Sequence, residues 1–352
     1  MSFSPYLVTP NKEKQLREVS ATSLLPTPII TFLEFVSPDL EAVEERMHAD
    51  LGDDVRTVSD VTRHLLQAGG KRLRPAMVAL AARAVDPEAP RHRIADVGAA
   101  VEFVHMATLV HDDVVDDTAI RRGKPTANAV FGNGIAVLSG DYILARAMRL
   151  LTLDGDIRII RTVSEITVDM SEGEVMEIRA TGNPNLSMDI YLEILRKKTA
   201  VFVEGCCRCG AMVAGGDFAI QETLAQYGCA LGMAFQIADD LLDYTGDPII
   251  TGKPRGSDLR DGRATLPFLL GLSEATSIER KTLLSAFSNP NLRDSDVFEV
   301  CDILAQYDCF ERTRAAACEQ VALSSSALEL LPPTPARACF EQLTDFVVQR
   351  DR

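Results

Sequence analysis

The chain has 352 residues, with 51 acidic against 36 basic side chains, a formal charge of −15 and a hydrophobic content of 46%. That length gives one large or two ordinary domains with enough material for a sizeable core. An acidic chain with no basic run excludes nucleic acid, whose backbone demands a positive surface, and excludes electrostatic docking on anionic lipid.

Residues 1–28 carry Ser, Thr, Pro and mixed charge without period, so they read as a poorly ordered arm before a single domain over 29–352. Neither a charged-then-apolar leader nor an Arg-rich transit pattern is visible. No run of about twenty apolar residues is present either. The expected compartment is the cytoplasm, with no integral membrane segment. Ile29 to Met47 begins regular structure, with Ser37-Pro38-Asp39 as a helix start. Val55 to Gln67 is helical; Gly69-Gly70 ends it and opens the turn Lys71-Arg72-Leu73-Arg74. Helices follow over Pro75–Val85, Arg91–Asp117, Gly134–Leu151 and Ile157–Arg179, with Gly140 allowing a close packing contact. After the break at Asn183-Pro184-Asn185 come two long helices, Ser187–Ala214 and Asp217–Tyr244. Gly246 to Gly262 is a Gly/Pro/Lys loop long enough to be functional. Shorter helices run from Thr265 onward. No strand-like alternation, repeat or GxGxxG interrupts this order, so the fold class is all-α, a single-domain bundle whose site is lined by facing helices.

The eight cysteines are expected to be reduced in such a chain. Cys206-Cys207-Arg208-Cys209 has no second pair or His at zinc spacing, and its Ala/Val/Gly surroundings make it core packing rather than a metal site.

The chemistry concentrates in His111 to Gly123, where Asp112, Asp113, Asp116 and Asp117 close an apolar helix marked by Ile94, Val97, Val101, Val104 and Thr108. Asp112 and Asp116 stand one turn apart on one face, and anions at a helix C-terminus repel each other and the helix dipole. A cation must offset that cost. Hard oxygen ligands without His or Cys favour Mg²⁺, which bridges readily to phosphates. A lone DDxxD reads equally well as a solvated helix end with turn-forming Asp. Here a second one, Asp239-Asp240-Leu241-Leu242-Asp243, closes another apolar stretch (Leu231, Met233, Phe235, Ile237). Two such helix ends facing each other could hold a cluster of Mg²⁺ ions, and the cluster a diphosphate.

Together with Arg121-Arg122-Gly123, these motifs resemble the aspartate-rich pair of the trans-isoprenyl diphosphate synthases. Gly69-Gly70-Lys71-Arg72-Leu73-Arg74-Pro75, Pro125-Thr126-x-Asn128, Phe131-Gly132-Asn133, Gly140-Asp141, Lys198-Thr199, Gly252-Lys253-Pro254 and Asp258-Leu259-Arg260 match in order, from about Glu45 to the C-terminus. The resemblance implies an all-α bundle of the isoprenoid synthase type around a deep central cavity, usually as a homodimer. It implies head-to-tail transfer: an allylic diphosphate ionises and its cation alkylates isopentenyl diphosphate, giving a product one unit longer. Three Mg²⁺ ions would be held by Asp112, Asp116 and Asp239, with Asp113, Asp240 and Asp243 behind them or acting through water. Arg121, Lys198 and Lys253 match positions that contact the allylic diphosphate. Thr199 and Gln236 match oxygen donors beside the cation. Lys71, Arg74, Arg122 and His105 match a metal-free pocket for isopentenyl diphosphate. Without the resemblance, Lys198 would read as a surface charge and His105 as a satisfied core histidine. His111 reads as structural, and no dedicated base is evident; in the family the released diphosphate takes the proton.

Two positions depart from the family pattern. Arg263 stands where Lys is usual, and Glu177 (Gly173-Glu174-Val175-Met176-Glu177) stands where Gln is usual, adding negative charge near the cavity. Product length in the family depends on what blocks the tail beside the first motif helix. Ala107, Thr108 and, one turn deeper, Val104 are small where short-chain synthases carry Phe or Tyr. A product longer than farnesyl is expected, with Tyr142, Leu144 or Met148 toward the floor. The alternatives are a geranylgeranyl diphosphate synthase, a terpene cyclase of similar fold, and a non-catalytic subunit of a heteromeric synthase. The last two usually lack the second motif or lose one, and both are intact here.

Overall fold

The computed structural model of the chain describes residues 27–50, 56–67, 70–121, 123–248 and 254–349. The expected arm over 1–28 lies outside them but for its last two residues, which already belong to the first helix; Arg122 and Lys253 lie outside them too.

In chain order the helices are α1 (Thr27–Phe35), α2 (Ser37–Asp50), α3 (Arg56–Gln67), α4 (Leu73–Val85) and α5 (Arg91–Val115). A two-residue ladder, β1 (Ile120–Arg121) with β2 (Lys124–Pro125), follows, then α6 (Ala127–Phe131), α7 (Asn133–Asp154), α8 (Ile157–Ala180) and α9 (Met188–Leu195). After a π-helical turn over Arg196–Ala200 come α10 (Val201–Val213) and α11 (Phe218–Thr245). The remainder is α12 (Ser257–Asp261), α13 (Leu266–Glu274), α14 (Ser277–Ala286), α15 (Asp294–Gln306), α16 (Cys309–Leu328) and α17 (Pro335–Gln349).

Local chemistry sets several starts. Asp156, Ser187 and Asp217 cap α8, α9 and α11, each side chain accepting a backbone N–H of the first turn. At the centre lies α5, with Val97, Val101, Phe103, Val104 and Ala107 all buried. It is the one helix among the described residues long and apolar enough to cross a bilayer, but 72% of its apolar window is buried inside the fold. It is a core helix. One apolar cluster joins α4, α5, α7, α10 and α17, and a second joins α9, α11 and α13–α16. Cys206, Cys207 and Cys209 sit buried in the first, where burial pushes the Cys206 thiol up to about 12, a packing role.

Two differences from the sequence reading bear on the site. The helix expected over Ser187–Ala214 runs from Met188 to Val213 but contains the π turn. The turn after the first motif forms the short ladder, with Gly123 at φ 72° and Asp117 at φ 49°.

Candidate active site

The acidic ends of α5 and α11 are built differently from one residue to the next. Asp112 is partly buried, and burial first, then repulsion from Glu174, raises its carboxyl to about 6. Asp116 is exposed at the C-cap of α5. Asp113 is buried, and its Oδ1 accepts from Arg121 Nε at 2.7 Å. On α11, Asp239 faces the cavity, while Asp240 is buried and bonded to Tyr191 Oη at 2.7 Å and Gln236 Nε2 at 3.2 Å. Asp243 accepts the backbone N–H groups of Ser257 at 3.1 Å and Asp258 at 3.2 Å, pinning the start of α12. Asp113, Asp240 and Asp243 therefore each have protein partners that fix them. Asp239 lines the cavity with Asp240 and Asp243, and Asp112 and Asp116 stand one turn apart at the C-terminal end of α5.

Between the two ends sits the π turn. Such turns widen the helix by one residue and are frequent at functional sites. It carries Lys197, Lys198 and Thr199. Two helices clamp it through glycines: a Cβ on Gly173 of α8 would lie 2.9 Å from the Lys198 backbone nitrogen, and one on Gly232 of α11 would lie 2.7 Å from Ala200 Cα. Lys198 points into a cavity of about 660 Å³ that Lys71, Thr199, Gln236, Asp239 and Arg263 also line. Burial alone would lower its ammonium pKa, but the carboxylates of Glu177 and Glu174, the latter at 3.0 Å, outweigh that and raise it. Its charge also reaches Asp112, just as that of Arg263 reaches Asp116. Both cations also line the cavity with Asp239 of α11. Thr199 Oγ1 donates to Gln236 Oε1 at 3.1 Å, which leaves the hydroxyl lone pairs free to face outward.

Lys71 stands at the cavity edge. The Arg74 guanidinium lies 4.9 Å above the Phe202 ring, and the His105 ring meets the same Phe202 edge-on at 6.3 Å. Phe202 gathers the two. Arg72 between them is left-handed (φ 49°), a strained state for a non-glycine. It is held by Glu44 at 2.5 Å and Glu102 at 2.8 Å. Val104 and Ala107 are packed in the core and Thr108 bonds the His105 carbonyl; none of the three lines the cavity.

The family model described as polyprenyl synthetase matches residues 55–304. The chain belongs to the polyprenyl synthetase family. Octaprenyl diphosphate synthase of Escherichia coli (strain K12) is 36% identical over 319 residues, 91% of this chain and 98% of that protein. A decaprenyl diphosphate synthase structure from Rhodobacter capsulatus aligns with TM-score 0.85 at 36% identity, covering 91% of this chain and 98% of that one. A polyprenyl synthase from Caulobacter crescentus CB15, solved with calcium and isoprenyl diphosphate, aligns with TM-score 0.84 at 34% identity, covering 92% and 98%. The fold is the all-α isoprenoid synthase fold, and as a polyprenyl synthetase the chain is a prenyltransferase. Prenyl diphosphate synthases generally depend on a divalent metal.

The donor set of this polyprenyl synthetase suits such an ion. Every candidate ligand is a carboxylate oxygen, and burial and Glu174 raise the Asp112 carboxyl to about 6, so a cation beside it is favoured. Among the described residues no three His, Cys, Asp or Glu side chains already form a cage. An ion here must complete its shell with water or substrate oxygens, as Mg²⁺ commonly does.

Two tests of the polyprenyl synthetase site follow. Gly173→Ala places a methyl against the Lys198 backbone; a shift of about 1 Å in Lys198 and Thr199 is expected to lower kcat about a hundredfold with secondary structure retained by circular dichroism. Tyr191→Phe strips a donor from buried Asp240 and is expected to cost about 1–3 kcal/mol of stability in a denaturant titration.

Neither Tyr191 nor Phe202 carries a local sequence signal for its role. Their partners lie far away in the chain, Asp240 being 49 residues beyond Tyr191. Gly173, at a helix position where Ala is better, marks the close approach to Lys198.

Proposed function

We propose that this chain makes long polyprenyl diphosphates, condensing isopentenyl diphosphate head to tail with an allylic diphosphate until the product is longer than farnesyl. The observation that carries this is the π turn that sets Lys198 and Thr199 between the acidic ends of α5 and α11, within reach of both. Lys198, Arg121 and Lys253 would hold the allylic diphosphate, and Lys71, Arg74, Arg122 and His105 the isopentenyl diphosphate. Mg²⁺, three ions per site, held by Asp112, Asp116 and Asp239, would supply Lewis-acid stabilisation of the departing diphosphate. Asp113, Asp240 and Asp243 keep their helix ends in shape through the partners described above. Gln236, fixed by Asp240, orients the Thr199 hydroxyl so that its oxygen faces the developing allylic cation. We further propose a cytoplasmic homodimer. Support for long products is the small size of Val104, Ala107 and Thr108 and the names of the similar proteins.

One observation favours a shorter product, geranylgeranyl diphosphate: Val104 and Ala107 are packed in the core rather than lining the cavity. The purified chain, incubated with farnesyl and isopentenyl diphosphates and Mg²⁺, decides. Chromatography of the dephosphorylated products is expected to give alcohols longer than geranylgeraniol. Geranylgeraniol alone would overturn the length assignment. No elongation without a second polypeptide would return the chain to the partner-subunit role.

A further inference from the structure

The two departures from the family pattern, Glu177 and Arg263, are far apart in sequence but line one cavity together with Lys198. Their elements are stitched together: the Gly182 amide, just beyond α8, donates to the Gly262 carbonyl at 2.9 Å, one residue before Arg263. Glu177 is ion-paired with Lys198, which Glu174 also holds at 3.0 Å. Arg263 reaches Asp258 at 3.4 Å and Asp261 at 3.7 Å. Burial would lower its guanidinium pKa, yet the carboxylates around it, Glu177 foremost, raise it.

The usual Gln and Lys at these positions carry one positive charge between them; Glu and Arg carry none. The site here is one unit more negative, in a place that must accept a polyanion. A carboxylate left beside a bound diphosphate repels it unless a cation takes the carboxylate up. A guanidinium is suited to that task, because its planar fork can serve two carboxylates at once where an ammonium acts as a point charge.

We propose that Glu177 is a built-in counter-anion of the allylic diphosphate pocket: it occupies Lys198 in the ligand-free enzyme, and on diphosphate binding its carboxylate passes from Lys198 to Arg263. The inference rests on the assignment of Lys198 to the allylic diphosphate. Glu177 and Arg263 are positioning residues in it. They act through Lys198 and set affinity rather than the chemical step.

The test is calorimetric binding of inorganic pyrophosphate with Mg²⁺ to the full chain, as wild type, Glu177→Gln, Arg263→Met and the double variant. Thermal melts establish that each is folded. Glu177→Gln is expected to tighten Kd about fivefold, since pyrophosphate no longer competes with a carboxylate. Arg263→Met is expected to weaken Kd about tenfold when Glu177 is present and about twofold or less when it is not, a coupling within the usual range for contacting charges. KM for farnesyl diphosphate follows Kd, with kcat within about twofold of wild type. Unchanged or weaker binding by Glu177→Gln, or equal effects of Arg263→Met in both backgrounds, overturns the proposal. Loss of elongation in the wild type would count against the proposed function alone, because pyrophosphate binding still reads the counter-anion.

Discussion

Asp112→Asn is expected to lower the rate of prenyl transfer about a thousandfold while making the metal-free protein harder to melt. The first effect follows from removing one of the three carboxylates proposed to hold Mg²⁺; about 4 kcal/mol of leaving-group stabilisation is within what a bound divalent ion supplies. The second follows from the electrostatics. Burial and Glu174 raise the Asp112 carboxyl to about 6 from 3.8. Between those values the folded chain keeps a proton that the unfolded chain has lost, so stability falls as pH rises through the window. At pH 7 the whole penalty stands, and Asn removes it; below about pH 4 the two proteins should melt alike. In the wild type, apparent Mg²⁺ affinity is expected to fall as pH drops through about 6, because the ion must displace the proton. Melting curves with and without Mg²⁺ at pH 4, 5.5 and 7, beside a steady-state rate, check all three statements. An Asp112→Asn protein that turns over normally would remove the first helix end from the catalytic machinery.

The second large effect is on product. Ala107→Phe is expected to cut the longest product to geranylgeranyl length or below. The ring would project from α5 one turn or so beneath Asp112, where a growing tail descends if it follows that helix. Ala107 is 2% exposed, so the same substitution also tests where the tail goes. In a fully packed core a Phe costs about 1–3 kcal/mol of overpacking. A tail tunnel that opens along α5 would absorb the ring with little loss of melting temperature. Shortened product with an unchanged melt places the tunnel at Ala107. A destabilised protein that still makes long chains places it elsewhere, and Tyr142, Leu144 and Met148 on α7 become the next positions to enlarge.

Much of this fold could be read from the chain because its helices announce themselves. The apolar spacing from Ile94 to Thr108 and the caps at Ser187 and Asp217 mark boundaries by local chemistry alone. The two DDxxD runs stand out for the same reason: like charges one turn apart at a helix end have no structural motive. What escaped is non-local. Periodicity cannot register the widening at Arg196–Ala200, since a π turn shifts the pattern by a single residue. The six aspartates look alike in sequence, yet in the fold Asp113 meets Arg121, Asp240 meets Tyr191 and Asp243 meets the Ser257 amide. The ladder at Ile120–Pro125 is too short for any alternation to develop. Phe202 as a shared platform for Arg74 and His105 depends on how α10 lies against α4 and α5.

The five-residue turn over Arg196–Ala200 has one more amino acid than an ordinary helix would need there. Excising one residue from it would let α9 and α10 join as a regular rod with little change of phase outside the turn, and Lys198 and Thr199 would be displaced within it. The shortened protein would gain a better set of backbone bonds and lose the alignment of its ammonium and hydroxyl with the two acidic banks. The extra residue thus weakens the backbone ladder locally and in return sets both groups at the cavity.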